Sequence, residues 1–447
     1  MKKEEIVKSL TENEREMLDL LSQIVDIVGL IYEEQANHEY RGANLYPPDM
    51  TEKEFADAAA ERPWLKSFDM VIERSDSGKL VVIPYCEKYR QYFEKIIPQL
   101  EKVKALTVDN MFRTYIDSLL VCLQRANRLD YWQMMGHWVE TRDYQINFPF
   151  TYDELYLDRL MGIKGGFNAA LLLEDKEMSA EIQRPLGIVD GFISWLDLPA
   201  GAEHFTNLQI GIYHTVNNQG LMADMGLRAW NLPNDFKVRA EHGGRQMLLS
   251  EMITGLAENQ VQCIARDILF NATNIFNPRE LQWGYMMAVA FHELSHNIGL
   301  YQQANNLDDL HCAYEEFRAD VVALLWIHYC AEQGIFIRRE AQVASLMLLA
   351  NEILDIGCAK TMPSRICFKE VAVMKFRYLH LKGALYYANS KLEVNFGRLL
   401  PASKDLLREV VRISISGDYK KAKYFRDLHF QPKIFQNLII KAEEIME

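Results

Sequence analysis

Two histidines and a glutamate lie close together in Phe291-His292-Glu293-Leu294-Ser295-His296, an HExxH pattern. On a helix, residues four apart sit one turn apart on one face. His292 and His296 can then reach a single metal ion, with Glu293 beside them to act on water. A second cluster follows in Ala313-Tyr314-Glu315-Glu316-Phe317-Arg318-Ala319-Asp320. A catalytic zinc takes three protein ligands and keeps one position open. Glu316 completes a two-His, one-Glu set, and Asp320, one turn on, is spaced to accept the free ring N–H of a zinc-bound histidine, with Glu315 as a second outer carboxylate. The competing reading makes the histidines caps of an apolar core helix and the acids a solvated face. Those acids, however, belong to a segment otherwise apolar enough to be buried, which favours the metal. One zinc ion per chain is the expectation, and the thiol of Cys312 ranks below Glu316 as a ligand.

The elements that must position these groups are helices. The run from Gly284 to Asn297 has no proline, is dense in Met, Ala, Val and Phe, and meets Gly299 where a helix stops. Leu310, Tyr314, Phe317, Val321 and Leu324 recur at helical spacing, so a second amphipathic helix carries the acidic cluster and ends near Gly334. Upstream, the spacing of Ile6, Leu18, Leu21, Ile24, Ile27 and Leu30 predicts one long helix over 4–35. Thr51-Glu52-Lys53-Glu54 has the pattern of a capping box opening a short helix. Two β-branched runs flanking Ser75-Asp76-Ser77-Gly78 predict a β-hairpin over 68–84. Residues 86–140 read as helical, 188–198 and 208–216 as strands, and nearly everything from 245 onward as helix. The fold class expected is mainly α with a smaller α+β part.

With 447 residues the chain has ample material for two or three lobes. Its net charge of -13 argues against nucleic acid and against an anionic membrane surface as partners. The start, Met1-Lys2-Lys3-Glu4-Glu5, is charged and unlike a signal peptide, and no stretch reaches the roughly 18 uncharged apolar residues of a membrane span. Seven scattered cysteines, without a CxxC pair, read as reduced core residues of a cytoplasmic protein.

These residues carry a resemblance. The chain resembles the dipeptidyl peptidase III family of zinc peptidases, and most of all its shorter branch, which also occurs fused to Nudix hydrolase domains. That branch has the five-residue HExxH, where longer members have a six-residue HExxxH. Tyr314 to Asp320 matches the family's EExxAD/E helix, whose second Glu, here Glu316, binds zinc. Further matches are Asn44 to Phe55, Gly78 to Tyr89, Asp153 to Gly162, Trp230 to Asp235, Tyr378 to Ala384 and Ser416 to Tyr419.

The resemblance implies a two-lobed zinc peptidase with a wide inter-lobe cleft. The mixed α/β lobe would comprise 1–172 and 215–258, and the helical catalytic lobe 173–214 and 259–447. In the family's Glu-x-Tyr motif, a Glu holds the peptide N-terminus and a Tyr stabilises the reacting carbonyl; these match Glu154 and Tyr156. The Asn-x-Pro-Asn segment lines the peptide backbone, which matches Asn231 and Asn234. Read without the family, the same residues are equally a packed tyrosine and a Pro/Asn turn. The expected function is removal of dipeptides or other short N-terminal pieces from peptides, with Glu293 as general base. One departure supports an alternative. The family places a transition-state histidine about a dozen residues before Leu-x-x-Lys-Gly, and Phe368 stands there, so a catalytically weak or inactive peptide- or protein-binding member is the second reading. A different zinc hydrolase is a third.

Overall fold

The structure is a computed structural model that describes residues 2–125, 127–270, 272–361, 365–388 and 390–446, without the side chain of Asp309. Chain contacts divide into two units, Met1–Ser179 with Gly211–Leu249, and Ala180–Ile210 with Ser250–Glu447.

The first unit is built on a six-stranded sheet. Its strand order is Ile146–Asn147, Gly166–Glu174, Leu208–Gly220, Gly244–Leu249 and Ala229–Leu232, and Phe150–Glu154 also pairs with Gly166–Glu174. Gly166–Glu174 is buried at every position, so neither of its faces meets water. Helix Glu12–Gln35 packs on it. The Gln35 side chain bridges helix to strand, accepting from the Phe167 N–H at 2.8 Å and donating to the Gly165 carbonyl at 3.3 Å. Beside the sheet, Tyr85, Tyr89, Phe93 and Tyr152 meet Phe167 in tilted and edge-on ring contacts, and Phe68 and Tyr131 extend the cluster through Tyr152.

The expected helix over 4–35 is two helices, Lys3–Ser9 and Glu12–Gln35. The break is chemical. Thr11 accepts from the Glu14 N–H at 3.2 Å while Glu14 returns a bond to the Thr11 N–H at 2.9 Å, a reciprocal cap that starts a new helix. Thr51 likewise caps Glu52–Glu61, but Glu54 turns away to pair with Arg74. The hairpin forms as Met70–Arg74 against Leu80–Pro84, with Gly78 at φ 76° in its turn.

In the second unit, the HExxH helix (Pro278–Ser295), the acidic helix (His311–Glu332), the core helix (Arg338–Cys358) and the lysine helix (Ile366–Leu381) pack on one another. Asn277 caps the first of these in a reciprocal box with Glu280, and Pro278 opens it. Gly284 lets it lie close to the core helix, since a Cβ there would stand 3.0 Å from the Val343 carbonyl oxygen. The core helix is long and apolar enough to cross a membrane by length and composition, but 94% of its apolar stretch is buried within the protein, and its acidic groups Glu352 and Asp355 meet Lys375 and Arg365 there.

The expected strand over 188–198 is a helix, Val189–Leu196. Its β-branched and aromatic composition is overridden by packing, because Phe192 stacks on Trp326 at 5.0 Å and also meets Tyr329. The cysteines also depart from expectation. Cys122, Cys330 and Cys358 are buried, but Cys86, Cys263 and Cys367 are only partly covered and Cys312 is exposed.

Candidate metal centre

The HExxH helix ends at Ser295, and His296 occupies the position just past it while keeping near-helical backbone angles (φ -57°, ψ -20°). Both imidazoles therefore leave the same face at the helix C-terminus. Their Nε2 atoms lie 3.1 Å apart. Across from them, Glu316 on the acidic helix brings Oε2 to 3.3 Å from His292 Nε2 and 3.8 Å from His296 Nε2. Ligand atoms about 2.0–2.2 Å from a tetrahedral ion stand roughly 3.3–3.6 Å from one another, so this triangle has the dimensions of three corners of a zinc site. Glu316 Oε2 is buried and has no hydrogen-bond partner within the protein. An orphaned carboxylate oxygen facing two imidazole nitrogens fits a cation better than any internal hydrogen bond.

The rear of each histidine is held by a different acid. His292 Nδ1 lies 2.8 Å from Asp320 Oδ1, and His296 Nδ1 lies 2.5 Å from Glu315 Oε1. This turns both Nε2 atoms toward Glu316, the arrangement in which an outer carboxylate orients a ligand ring. Burial alone would favour neutral rings, but the bond to Asp320 and then the facing Glu316 carboxylate hold the His292 pKa well above the usual range. For His296, burial is again outweighed, by the charges of Glu315 and Glu316. The pocket thus attracts positive charge.

Three residues behind the acids escaped the sequence reading. Arg318, buried on the acidic helix, donates to the Ser295 carbonyl at 2.8 Å, to the Ile298 carbonyl, to the His296 carbonyl at 3.3 Å and to Glu315 Oε1 at 2.8 Å. It satisfies carbonyls left open where the HExxH helix ends and fixes the acid that holds His296. Burial opposes ionisation of Glu315, yet His296 and then Arg318 bring its carboxyl down to about 2. Lys375, fully buried on the lysine helix, contacts Asp320 Oδ2 at 3.1 Å and also Glu352 of the core helix. Burial works against Asp320 too, but Lys375 and then His292 hold it at about 2. Burial raises Glu352 to about 8 even with Lys375 beside it. The signal in sequence was a lysine in Val371-Ala372-Val373-Met374-Lys375-Phe376 and a lone glutamate in the apolar run of the core helix. Nothing local says that the two meet.

The remaining candidates lie in the first unit. Glu154 ends strand Phe150–Glu154 with 7% of its surface exposed, and Asn234 donates to its Oε1 at 2.8 Å. Burial, and then the charge of Asp153, raise the Glu154 carboxyl to about 7. Tyr156 follows in a short helical turn and is 59% exposed, so it is not a packed core tyrosine. Asn231 lies on strand Ala229–Leu232, where its side-chain oxygen accepts from Gln246 Nε2 at 2.9 Å. Phe368, at the position where the resemblance leads one to expect histidine, lies in the first turn of the lysine helix with the Arg365 guanidinium 4.9 Å over its ring.

This two-unit, mainly helical architecture is the fold of dipeptidyl peptidase III, as two solved structures show. The chain superimposes on dipeptidyl peptidase III from Caldithrix abyssi with a TM-score of 0.84 at 22% identity, covering 98% of this chain and 93% of that one. The enzyme from Corallococcus sp. strain EGB gives 0.82 at 16% identity, with 98% and 95% covered. Among curated proteins, Nudix hydrolase 3 from Arabidopsis thaliana is 21% identical over 85% of this chain and 53% of its own length. The chain thus spans about half of that relative. No family model matches.

Proposed function

We propose that the protein is a zinc peptidase that removes dipeptides or other short pieces from the N-termini of peptides. The observation that carries this reading is the convergence of His292 Nε2, His296 Nε2 and the orphaned Glu316 Oε2 on one point, in a fold shared with two dipeptidyl peptidases III. His292, His296 and Glu316 would hold the ion, with Asp320 and Glu315 orienting the two rings. Zinc in that position supplies Lewis acidity to the scissile carbonyl and to the attacking water. Glu293, partly exposed on the HExxH helix beside His292, takes a proton from the water as its oxygen bonds to the carbonyl carbon. It delivers that proton to the amide nitrogen as the C–N bond breaks.

The first unit supplies the substrate groups in this reading. Glu154 pairs with the peptide's α-ammonium, Tyr156 donates its phenol O–H to the developing oxyanion, and Asn231 and Asn234 bond the peptide backbone. Buried Glu154 suits the task, because a carboxylate with little access to water gains more from an ammonium partner than an exposed one does. The test is a metal assay on protein purified without added metal, run beside a panel of dipeptidyl fluorophores. About one zinc per chain with release of dipeptides supports the reading. Zinc-free protein, or equal zinc retention in a His292→Ala/His296→Ala variant, ends it.

A further inference from the structure

One helical turn before the metal-facing Glu316, the acidic helix carries Cys312, an exposed residue whose sulfur is itself largely covered. Its Sγ lies 3.4 Å from Sγ of Cys367, in the first turn of the lysine helix. The two residues are 55 positions apart in sequence, so only the packing of the two helices brings the sulfurs together. A disulfide bond is about 2.05 Å long, so the sulfurs need to close by about 1.3 Å. The helices concerned are those whose contact positions the metal centre, since Lys375 of the lysine helix holds Asp320 of the acidic helix at 3.1 Å.

We infer that Cys312 and Cys367 form a reversible dithiol–disulfide couple, closed by a low-molecular-weight disulfide of the glutathione type, and that closing it loosens the metal centre through Glu316. The Cys312 thiolate attacks one sulfur of the small disulfide, forming a mixed disulfide and releasing one small thiolate. Cys367 then attacks the Cys312 sulfur, closes the bridge and expels the second small thiolate. The two protons leaving the cysteines go to the two departing thiolates. Two protein thiols are oxidised and one small disulfide is reduced. Closure draws the first turn of the acidic helix toward the lysine helix. Glu316, on the next turn of the same face, moves with it, and metal geometry tolerates only about 0.2 Å of error in ligand distance. The bridge itself is independent of the zinc reading, while its effect on metal retention rests on it.

The hydrogen bond to Cys367, and then burial, raise the Cys312 thiol, so exchange is slow near neutrality. The experiment therefore incubates the full chain with glutathione disulfide at pH 8.5 for hours, quenches with acid, and maps peptides by mass under non-reducing conditions. Wild type is expected to lose two of its seven thiols and to yield a crosslinked peptide pair containing Cys312 and Cys367. Cys367→Ser should instead accumulate a stable glutathione adduct on Cys312. Retention of all seven thiols by wild type, or a wild-type adduct on Cys312 that never resolves, overturns the couple. Zinc release to a chromogenic chelator, compared between reduced and oxidised protein, is expected to be several-fold faster when oxidised and redox-independent in Cys312→Ser. A bridged protein that holds zinc as slowly as the reduced form overturns the link to Glu316. A bridged protein that never held zinc overturns the zinc reading and that link, and leaves the couple established.

Discussion

Lys375→Met tests whether the centre is organised from behind. The substitution keeps length and apolar bulk while removing the cation that touches both Asp320 and Glu352. Asp320 is held at about 2 against an ordinary 3.8, and a depression of that size corresponds to roughly 2–3 kcal/mol. Removing one partner of a buried pair costs about 3–5 kcal/mol. The lower end applies, because His292 still contacts Asp320 and Glu352 can carry a proton near neutral pH. A loss of about 3 kcal/mol in a unit of about 230 residues lowers its Tm by roughly 6–12 °C. The sign follows from the direction of the shift. A carboxyl with a lowered folded pKa contributes stability above its unfolded value, and that contribution fades as pH falls toward the folded one. The deficit of Lys375→Met should therefore be full at pH 5–7 and shrink between about 4 and 2. Glu352→Gln is the control. Its carboxyl is raised to about 8, so at pH 6 the wild-type group is already protonated and the variant should cost no more than about 1 kcal/mol. Calorimetric melting of metal-free protein across that pH range reads both. If Lys375→Met melts within a degree of wild type at pH 6, or Glu352→Gln is equally harmful, the buried lysine does not organise the centre.

The remaining predictions concern metal and substrate. Glu316→Gln should weaken zinc binding strongly, since a neutral amide is a poor ligand, while Asp320→Asn should weaken it about 10–100-fold; competition with a chelator measures both. Glu293→Gln should keep metal content and melting behaviour while peptide hydrolysis falls about 10²–10⁴-fold. Identical residual hydrolysis in wild type and this variant would assign the activity to a contaminant. With Glu154 raised to about 7, KM for free-amine peptides should climb about tenfold per pH unit below that value, as the carboxylate that pairs with the ammonium is lost. Glu154→Gln should flatten this limb, and N-acetylated peptides should be poor substrates at any pH; equal cleavage of blocked and free peptides would exclude the exopeptidase reading.

The parts of this protein that could be read from its sequence are those set by short covalent spacing. His292 and His296 share a face because four residues make about one helical turn, and Glu316 and Asp320 share one for the same reason. The hairpin at 75–78 and the Thr51 cap were legible because turn and cap chemistry is local. The sheet of the first unit is largely illegible in the sequence. Gly166–Glu174 is buried on both faces, and a strand without a wet face has no alternation to read. The residue types of Val189–Leu196 favour a strand, but the aromatic surface it packs on makes it a helix. Beyond offering Asp320 and Glu315 as outer carboxylates, the sequence left the support of the centre to the tertiary structure. Glu315 holds His296 through a side-chain bond rather than a spacing rule, Arg318 closes the end of a neighbouring helix, and Lys375 reaches Asp320 and Glu352 from a third. The same packing of separate helices set Cys312 against Cys367. Periodicity reports which face of a helix is buried, not which residues of other helices it meets, and the charges that steady this centre sit on those neighbours.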